Sequence, residues 1–576
     1  MNQKLENILN VSLDATEDEL RKADSLSTGY NWRDNTWEII VKYSGSLESI
    51  RNRYNVYIKE LLNYYAIIVA DKATIELISQ EDVIDYVEKP KSLYYQIERT
   101  KTAACVGSVR ADGNILSGKG VIVGVIDTGI DIFDNAFRNS DGTTRILNIY
   151  DQTTGEKYDK QSIDEYIRLN EDLSGGTFSY DNAPGVDNIM HGTDVSYIAA
   201  GSLGVAYEAD IIAVKMGYSI NNQFPRTTSL MDAIDYIIRK AIEYRKPVAV
   251  NISYGCNYGA HNGNTLLESF IDDISKSYRC VICVGSGNEA DKAIHFGGII
   301  NTGQVQTAYL SVGEYQSAID IQIWKNYWDT IDVMLINPRG EQIGIITEGR
   351  INRYETYNTE IITLLGEPSP YNIYQEIYIN LIPKTDYILS GIWQIVLMAG
   401  SIRAGEYNIW LPSSQALGYA TAFNNPTADG TITIPATARN CIAVGAYNAY
   451  TNSYAAFSGR GFDNSIRNVN AGVKPDITAP GVDISIARQR GNDITYRNVT
   501  GTSYAVPVVT GAAALLMQWG IVMGNDRFMY GEKLKAALID GSKPVGLVGI
   551  TRNDNQPDPR TGWGAVCLKN TLSKIL

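Results

Sequence analysis

The chain has 576 residues, too many for one ordinary compact domain, so two to four domains are expected. With 44% hydrophobic and 20% charged residues it has the makeup of a globular protein with a large core. A net charge of −14 repels phosphate backbones and speaks against nucleic-acid binding.

The first ten residues, Met1 to Asn10, carry neither the basic nor the apolar run of a secretory signal. No run of about eighteen apolar residues is present either, so no membrane insertion is expected and any export would take a non-classical route. From about 35 to 96 the pattern is a small α+β unit. Trp37 to Tyr43 reads as a strand, Ser46 to Tyr54 as a short helix with Ser46 at its N-cap, and Tyr65 to Ala70 as a strand. Thr74 to Gln80 reads as helix and Val83 to Val87 as strand, an order that suggests βαββαβ. Pro90 then opens an extended tail, Lys91 to Gln96.

From about 117 to 300 strands and helices alternate. Val121 to Ile126, Ile211 to Val214, Val248 to Ser253 and Val281 to Val284 are continuous apolar runs, as strands buried on both faces should be. Leu230 to Tyr244 is helical between them. This is an α/β domain with a parallel sheet and helices on both faces. Between about 306 and 425 the texture changes to period-two alternation, in Ile319 to Trp324, Ile331 to Ile336, Tyr374 to Leu381 and Tyr407 to Trp410. An inserted antiparallel sandwich of jelly-roll type is expected there. The α/β texture returns near 430 and includes an apolar helix, Val506 to Met517.

Three short segments carry chemistry. In Gly124-Val-Ile-Asp127-Thr-Gly129 a buried strand ends in an acid and a glycine turn, at the carboxyl edge where α/β sheets place their sites. Met190-His191-Gly-Thr193 opens an apolar helical stretch. Gly501-Thr-Ser503-Tyr-Ala-Val-Pro507 opens the buried helix, whose N-terminal dipole and free N–H groups favour developing negative charge beside Ser503. A serine hydroxyl needs an imidazole to take its proton, and the imidazole needs a carboxylate to fix its tautomer. Gly285-Ser-Gly287-Asn288 follows a buried strand and offers an amide donor, which with the Ser503 N–H would hold an oxyanion. A plain helix cap is the competing reading for both Asp127 and Ser503. The strand–Asp–Thr–Gly context, and Gly501 with Pro507, favour the catalytic one. The order Asp…His…Ser, with Ala505 where an α/β-hydrolase elbow needs glycine, sets that fold aside.

Asp-Thr-Gly at 127, His-Gly-Thr at 191, Gly-Asn at 287 and Gly-Thr-Ser at 501 resemble the subtilase signatures, in subtilase order. Asn251 to Gly255 resembles the substrate-binding edge, so Ser253, Tyr254, Gly255, Gly285 and Gly287 are the implied substrate-binding residues, and Lys474 to Gly481 also fits. The finer resemblance is to the Csp germination proteases of clostridia and related gut bacteria, because Ser503 lies 215 residues after Asn288 and leaves room for an inserted jelly roll. That resemblance implies a prodomain at 1–96, a catalytic domain split into 97–305 and 429–576, and an insert at 306–428. It implies self-cleavage after Gln96, with the prodomain able to stay bound, no cofactor, and a protein or peptide substrate. In sporulating members that substrate is the precursor of a spore-cortex hydrolase, which would make this chain spore-associated. Two departures stand out: the glycine usual before the catalytic histidine is Met190, and the usual second histidine is Asp194. Since some Csp relatives are pseudoproteases, a non-catalytic scaffold is the rival reading.

The remaining candidates read as structural. His261 lies in a polar loop and is expected to be solvated, and His295 to shape the cleft. The six cysteines are scattered, which argues against a disulfide framework. Cys280 and Cys283 sit three apart on an apolar strand and point to opposite faces. The acidic stretch Asp141 to Asp187 has no recognisable calcium-ligand spacing, so no metal is expected.

Overall fold

The computed structural model describes residues 4–17, 20, 27, 29–61, 64–89, 103–105, 110–111, 114–173, 183–217, 225–346, 351–368, 372–462, 473–490, 493–546 and 557–576. Leu93 to Gln96, the expected processing tail, lie outside them. The chain divides into two compact units, Met1–Tyr95 and Gln96–Leu576.

The first unit has the expected βαββαβ order: Thr36–Tyr43, helix Glu48–Tyr54, Tyr57–Leu61, Tyr65–Ala70, helix Lys72–Ile78, Ile84–Glu88. Alternation along Thr36–Tyr43 puts Trp37, Ile39 and Val41 on one face, where they bury against Ile50, Ile75 and Ile78 of the helices. The N-cap of the first helix is Leu47 rather than the expected Ser46, which lies one residue earlier and accepts from Glu48 N at 3.3 Å, whereas Asp71 Oδ1 caps the second helix through Thr74 N at 2.9 Å.

The second unit is built on a sheet whose described strands run Glu156–Asp159, Ile146–Asp151, Asp210–Lys215, Ile122–Asp127, Val248–Ile252, Cys280–Gly285, Ile442–Asn448, with Ser453–Tyr454 and Ile477–Pro480 both paired to the last. The neighbouring pairs from Ile146–Asp151 through Ile442–Asn448 are parallel. Val123 and Val125 pack on one side, Ile122 and Ile126 on the other, so burial of both faces explains the unbroken apolar runs. Cys280 and Cys283 divide between the same two faces. Helices His191–Ala200 and Thr502–Met517 cover the first side, Thr227–Tyr244 and Leu266–Ser277 the second. Among the described residues one helical stretch, Thr502–Val522, is long and apolar enough to cross a bilayer, and 89% of its apolar window is buried inside the protein as a core helix.

Between Cys280–Gly285 and its partner Ile442–Asn448 the chain builds two facing antiparallel sheets. One contains His295–Ile299, Glu406–Trp410, Ile319–Asn326, Tyr374–Pro383, Thr359–Leu365 and Ile351–Glu355; the other Gln342–Ile345, Ile331–Ile336, Gly391–Ala399, Val305–Val312 and Ala422–Phe423. Ile319, Ile321 and Ile323 of the first meet Trp393, Ile395 and Leu397 of the second in a single core. The sandwich takes in His295–Ile299, residues that the expected boundary at 305 leaves in the preceding segment.

Two expectations need correction. Cys105 and Cys567, 462 residues apart, form a disulfide that tethers the early part of the unit beside its C-terminal helix; a pairing set by tertiary proximity leaves no spacing signal. His261 is not solvated. It is 3% exposed, its Nδ1 lies 2.6 Å from Ile432 O, and its ring stacks on Trp410 at 4.1 Å. The strand Glu406–Trp410 brings that tryptophan over the loop. His295 stacks on the same indole, 4.9 Å away, and its Nε2 meets Asn408 Oδ1 at 3.0 Å.

Candidate active site

Asp127 closes its strand, 1% exposed, and its Oδ1 accepts from Thr128 N at 2.8 Å. His191 opens the helix His191–Ala200, and its Nδ1 reaches Asp127 Oδ1 at 2.6 Å. Such a charge-assisted contact fixes the ring and its tautomer, leaving Nε2 to face outward. Burial pushes the His191 pKa down. Asp127, by charge and by hydrogen bond, and then Asp187 outweigh burial, so the net position is above the ordinary imidazole value.

The turn into this helix is tightly knitted. Asp187 Oδ1 accepts from Met190 N at 2.7 Å and from Thr128 Oγ1 at 2.8 Å. Its Oδ2 accepts from Thr193 N and Thr193 Oγ1, both at 2.8 Å. Gly192 N donates to Thr128 Oγ1 at 2.9 Å. The helix lies so close to the strand end that a Cβ on Gly192 would fall 2.3 Å from Gly129 O, which is why glycine follows the histidine. Met190 has φ +66°, the left-handed region. That accounts for the glycine usual at this position and means that methionine is held there at a cost.

Ser503 sits in the first turn of Thr502–Met517, and every other residue of that helix is buried. The sequence therefore spends one of its most apolar helices on holding a single residue, Ser503, at partial exposure. Tyr504, the next residue, lies with its ring 5.2 Å from that of His191, so the serine and the imidazole share one corner of the site. Among the described residues no hydrogen bond joins His191 to the Ser503 hydroxyl, a contact that in unliganded sites is often long and tightens when substrate binds.

Asn288 follows Cys280–Gly285 and Gly287, which turns at φ +90° over Thr433. Asn288 Oδ1 accepts from Thr502 N and Thr502 Oγ1, both at 3.0 Å. These two bonds fix the amide orientation and leave Nδ2 beside Gly501. Ser253, Tyr254 and Gly255 run out of the strand Val248–Ile252 with partial to full exposure. Ser253 Oγ links this segment to Ser503 O at 3.3 Å. Gly285, by contrast, is buried at its strand end against Thr502 and Val506. The sequence brings Asp127, His191, Ser503, Asn288 and Ser253 to the same end of the sheet.

Sequence reasoning missed Asp187, which it weighed only as part of an acidic stretch. Carboxylates there serve as backbone acceptors: Asp141 for Thr143 N at 3.0 Å and Asp151 for Thr153 N at 2.9 Å, besides Asp187. Their spacing to Ser and Thr is a turn and cap signal. Among the described residues no three His, Cys, Asp or Glu side chains converge as a metal site would need.

Comparison with known proteins agrees with this architecture. A family described as Csp protease B prodomain matches residues 3–91, and the subtilase family matches 118–368 and 404–564. The structure of the Clostridium perfringens CspB protease superposes with a TM-score of 0.75 at 34% identity, covering 83% of this chain and 97% of that one. Stretches of 128 and 120 residues are 33% and 34% identical to the subtilase-type proteinase RRT12 of Saccharomyces cerevisiae and subtilisin-like protease 10 of Arthroderma otae. They take in 22% and 21% of this chain and only 23% and 27% of those curated relatives. With a subtilase match spanning most of its length and a CspB-like structure over 83% of it, the chain belongs to the subtilase family of serine peptidases, in its Csp branch.

Proposed function

We propose that this chain is a self-processing serine endopeptidase with Asp127, His191 and Ser503 as its catalytic triad. The observation that carries the reading is the Asp127–His191 pair, its carboxylate buried and its imidazole partly exposed, set beside the one partly exposed residue of an otherwise buried helix. Ser503 Oγ attacks a peptide carbonyl while His191 Nε2 takes its proton, and Asp127 stabilises the imidazolium. The proton passes to the leaving amine, the acyl-enzyme forms, and water releases it by the same steps in reverse. Asn288 Nδ2 and the Ser503 N–H receive the oxyanion. Ser253 to Gly255 and Gly287 line an extended substrate, while Gly285, buried at its strand end, supports the turn beneath it.

In this reading residues 1–96 are an intramolecular prodomain cut after Gln96 and retained as an inhibitor. The insert is a jelly roll, and the substrate in a sporulating host is the precursor of a spore-cortex hydrolase. The Csp resemblance and the prodomain match support these finer assignments. The expected result for purified wild type is a split near residue 96 by intact mass, with fluorophosphonate label on Ser503, while Ser503→Ala stays full length and unlabelled. Wild type that neither splits nor labels would move the scaffold reading forward. Asn288→Ala is expected to lower kcat by about 10²–10³-fold with little change in KM, because the lost donor acts on charge present only in the transition state. A progress-curve assay on a chromogenic peptide checks this.

A further inference from the structure

The hairpin Ile484–Arg490 with Asp493–Val499 runs directly into Gly501-Thr502-Ser503. Its register places Arg497 opposite Ile486 and Val499 opposite Ile484, so Ile484, Ile486, Arg488, Arg490, Arg497 and Val499 share one face. The isoleucines and Val499 anchor that face in the core. The three arginines continue it into the site, and each ends on a carboxylate belonging to another reactive segment.

Arg488 Nε donates to Asp194 Oδ1 at 2.9 Å, and its Nη2 donates to Met190 O at 2.8 Å. Arg497 forms a second ion pair with Asp194. Arg490 Nε donates to Asp131 Oδ2 at 2.7 Å. Asp194 lies one helical turn beyond His191, Met190 immediately before it, and Asp131 four residues beyond Asp127. One hairpin, covalently continuous with the Ser503 turn, therefore grips the Asp127 segment and both sides of His191. It also holds the carbonyl of Met190, whose left-handed backbone is costly for a methionine to keep.

Stability alone is a weak reason for this arrangement. Asp194 is 0% exposed, and a buried ion pair does little better than an apolar replacement, whereas breaking one is costly. What fixed charge pairs provide is register. We propose that Arg488, Arg497 and Asp194 are positioning residues that hold His191 in register with Asp127 and Ser503. This rests on the triad reading above. Among the described residues the contacts of both arginines go to Asp194 and to Met190 O, and none to the side chains of Asp127, His191 or Ser503.

A positioning role that places a guanidinium close to the imidazole also has an electrostatic signature. His191 is faced by Asp127 from its strand, Asp187 from the preceding turn, Tyr504 from the serine helix and Arg497 from the hairpin. Asp127 and Asp187 favour the imidazolium, and Arg497 opposes it. Removing the Arg497 charge should move the acid limb of kcat/KM to higher pH, which a purely structural role would not do.

The test uses the full-length protein with fluorophosphonate labelling of Ser503, a chromogenic peptide and thermal unfolding. Arg497→Gln keeps the Arg488–Asp194 pair and should fold with a wild-type melting temperature. It should label about tenfold more slowly, with KM within about twofold of wild type, and show the upward shift of the acid limb. Arg497→Lys should restore the limb. Asp194→Asn, which leaves Arg488 unpaired, should slow labelling further. Wild-type labelling rates and an unmoved acid limb in both Arg497→Gln and Asp194→Asn would overturn the proposal. A wild type that does not label overturns the triad reading, and the positioning role falls with it.

Discussion

Replacing His191 with alanine is expected to lower kcat on a peptide anilide by on the order of 10⁶-fold, and adding Ser503→Ala should cost almost nothing more. Nucleophile and base act as one unit, so once either is gone the other has no task. What survives is catalysis by oxyanion donors and substrate binding, about 10³–10⁴-fold above water. Asp127→Asn should be milder, about 10⁴-fold, because the ring stays in place in the wrong tautomer. The pH dependence separates the residues further. Catalysis needs neutral His191, whose pKa lies above the ordinary imidazole value because Asp127 and Asp187 outweigh burial. Activity should therefore fall as pH drops through a midpoint higher than that of free imidazole. In Asp127→Asn the strongest stabiliser of the imidazolium is removed, and the residual activity should persist to lower pH. Single-turnover rates across about pH 5–9 for wild type and Asp127→Asn would check both claims. A Ser503→Ala, His191→Ala double variant losing the product of the two single effects would mean that they do not act together.

The second large effect concerns stability. Asp476 is a buried carboxylate between two buried ammonium groups: Lys474 Nζ lies 2.8 Å from Oδ2 and Lys535 Nζ 2.9 Å from Oδ1, while Ala443 N donates to Oδ2 at 2.7 Å. These contacts join the strand Ile477–Pro480 to its neighbour Ile442–Asn448 and to the helix Gly531–Asp540. Asp476→Ala would leave two lysines buried without their counter-ion, at a cost of about 3–5 kcal/mol measured by urea unfolding. Replacing Lys474 and Lys535 with methionine in the same background should recover most of that loss, since a wholly apolar cluster avoids the desolvation. Burial alone would raise the Asp476 pKa, but the two lysines overcome it and hold it below the usual carboxylate range. Its folded pKa is thus lower than its unfolded one, so its contribution is present above the unfolded value and is lost as pH falls through the folded one. Lys474 is shifted upward by Asp476 despite burial, so its contribution holds below the unfolded lysine value and fades only as pH rises through the folded one.

How far the sequence could be read depended on what each signal encodes. Strands buried on both faces write themselves as unbroken apolar runs, so Ile122–Asp127 and Cys280–Gly285 were legible within a residue or two. The half-buried strands of the sandwich alternate, and Ile319–Asn326 was legible for the opposite reason. The reactive residues were legible because their short motifs sit at element ends, where chemistry and backbone geometry constrain the same residues. The hairpin Ile484–Arg490 was not. Its sequence, Ile484-Ser-Ile-Ala-Arg-Gln-Arg490, puts two isoleucines and two arginines on one face, so neither face reads as wholly apolar, and only the tertiary fold reveals buried carboxylates waiting for the charges. His261 was misread on the same logic: a polar loop looks solvated until a tryptophan from a strand some 150 residues later covers it.

The insertion has a consequence for how the polypeptide assembles as it leaves the ribosome. Cys280–Gly285 must find its sheet partner Ile442–Asn448 across the whole sandwich, and closing a flexible loop of that length costs on the order of 4–5 kcal/mol. The sandwich removes that entropy in advance. Its first strand pairs with Glu406–Trp410, and Phe423 N and Thr427 N donate to Ala293 O and His295 O, both at 2.8 Å, so its entry and exit are zipped together. Once folded, the insert behaves as a short staple that delivers Ile442–Asn448 to the growing sheet edge. Ser503 emerges only after that edge is complete, so vectorial synthesis supplies the nucleophile last, to a scaffold already able to receive it.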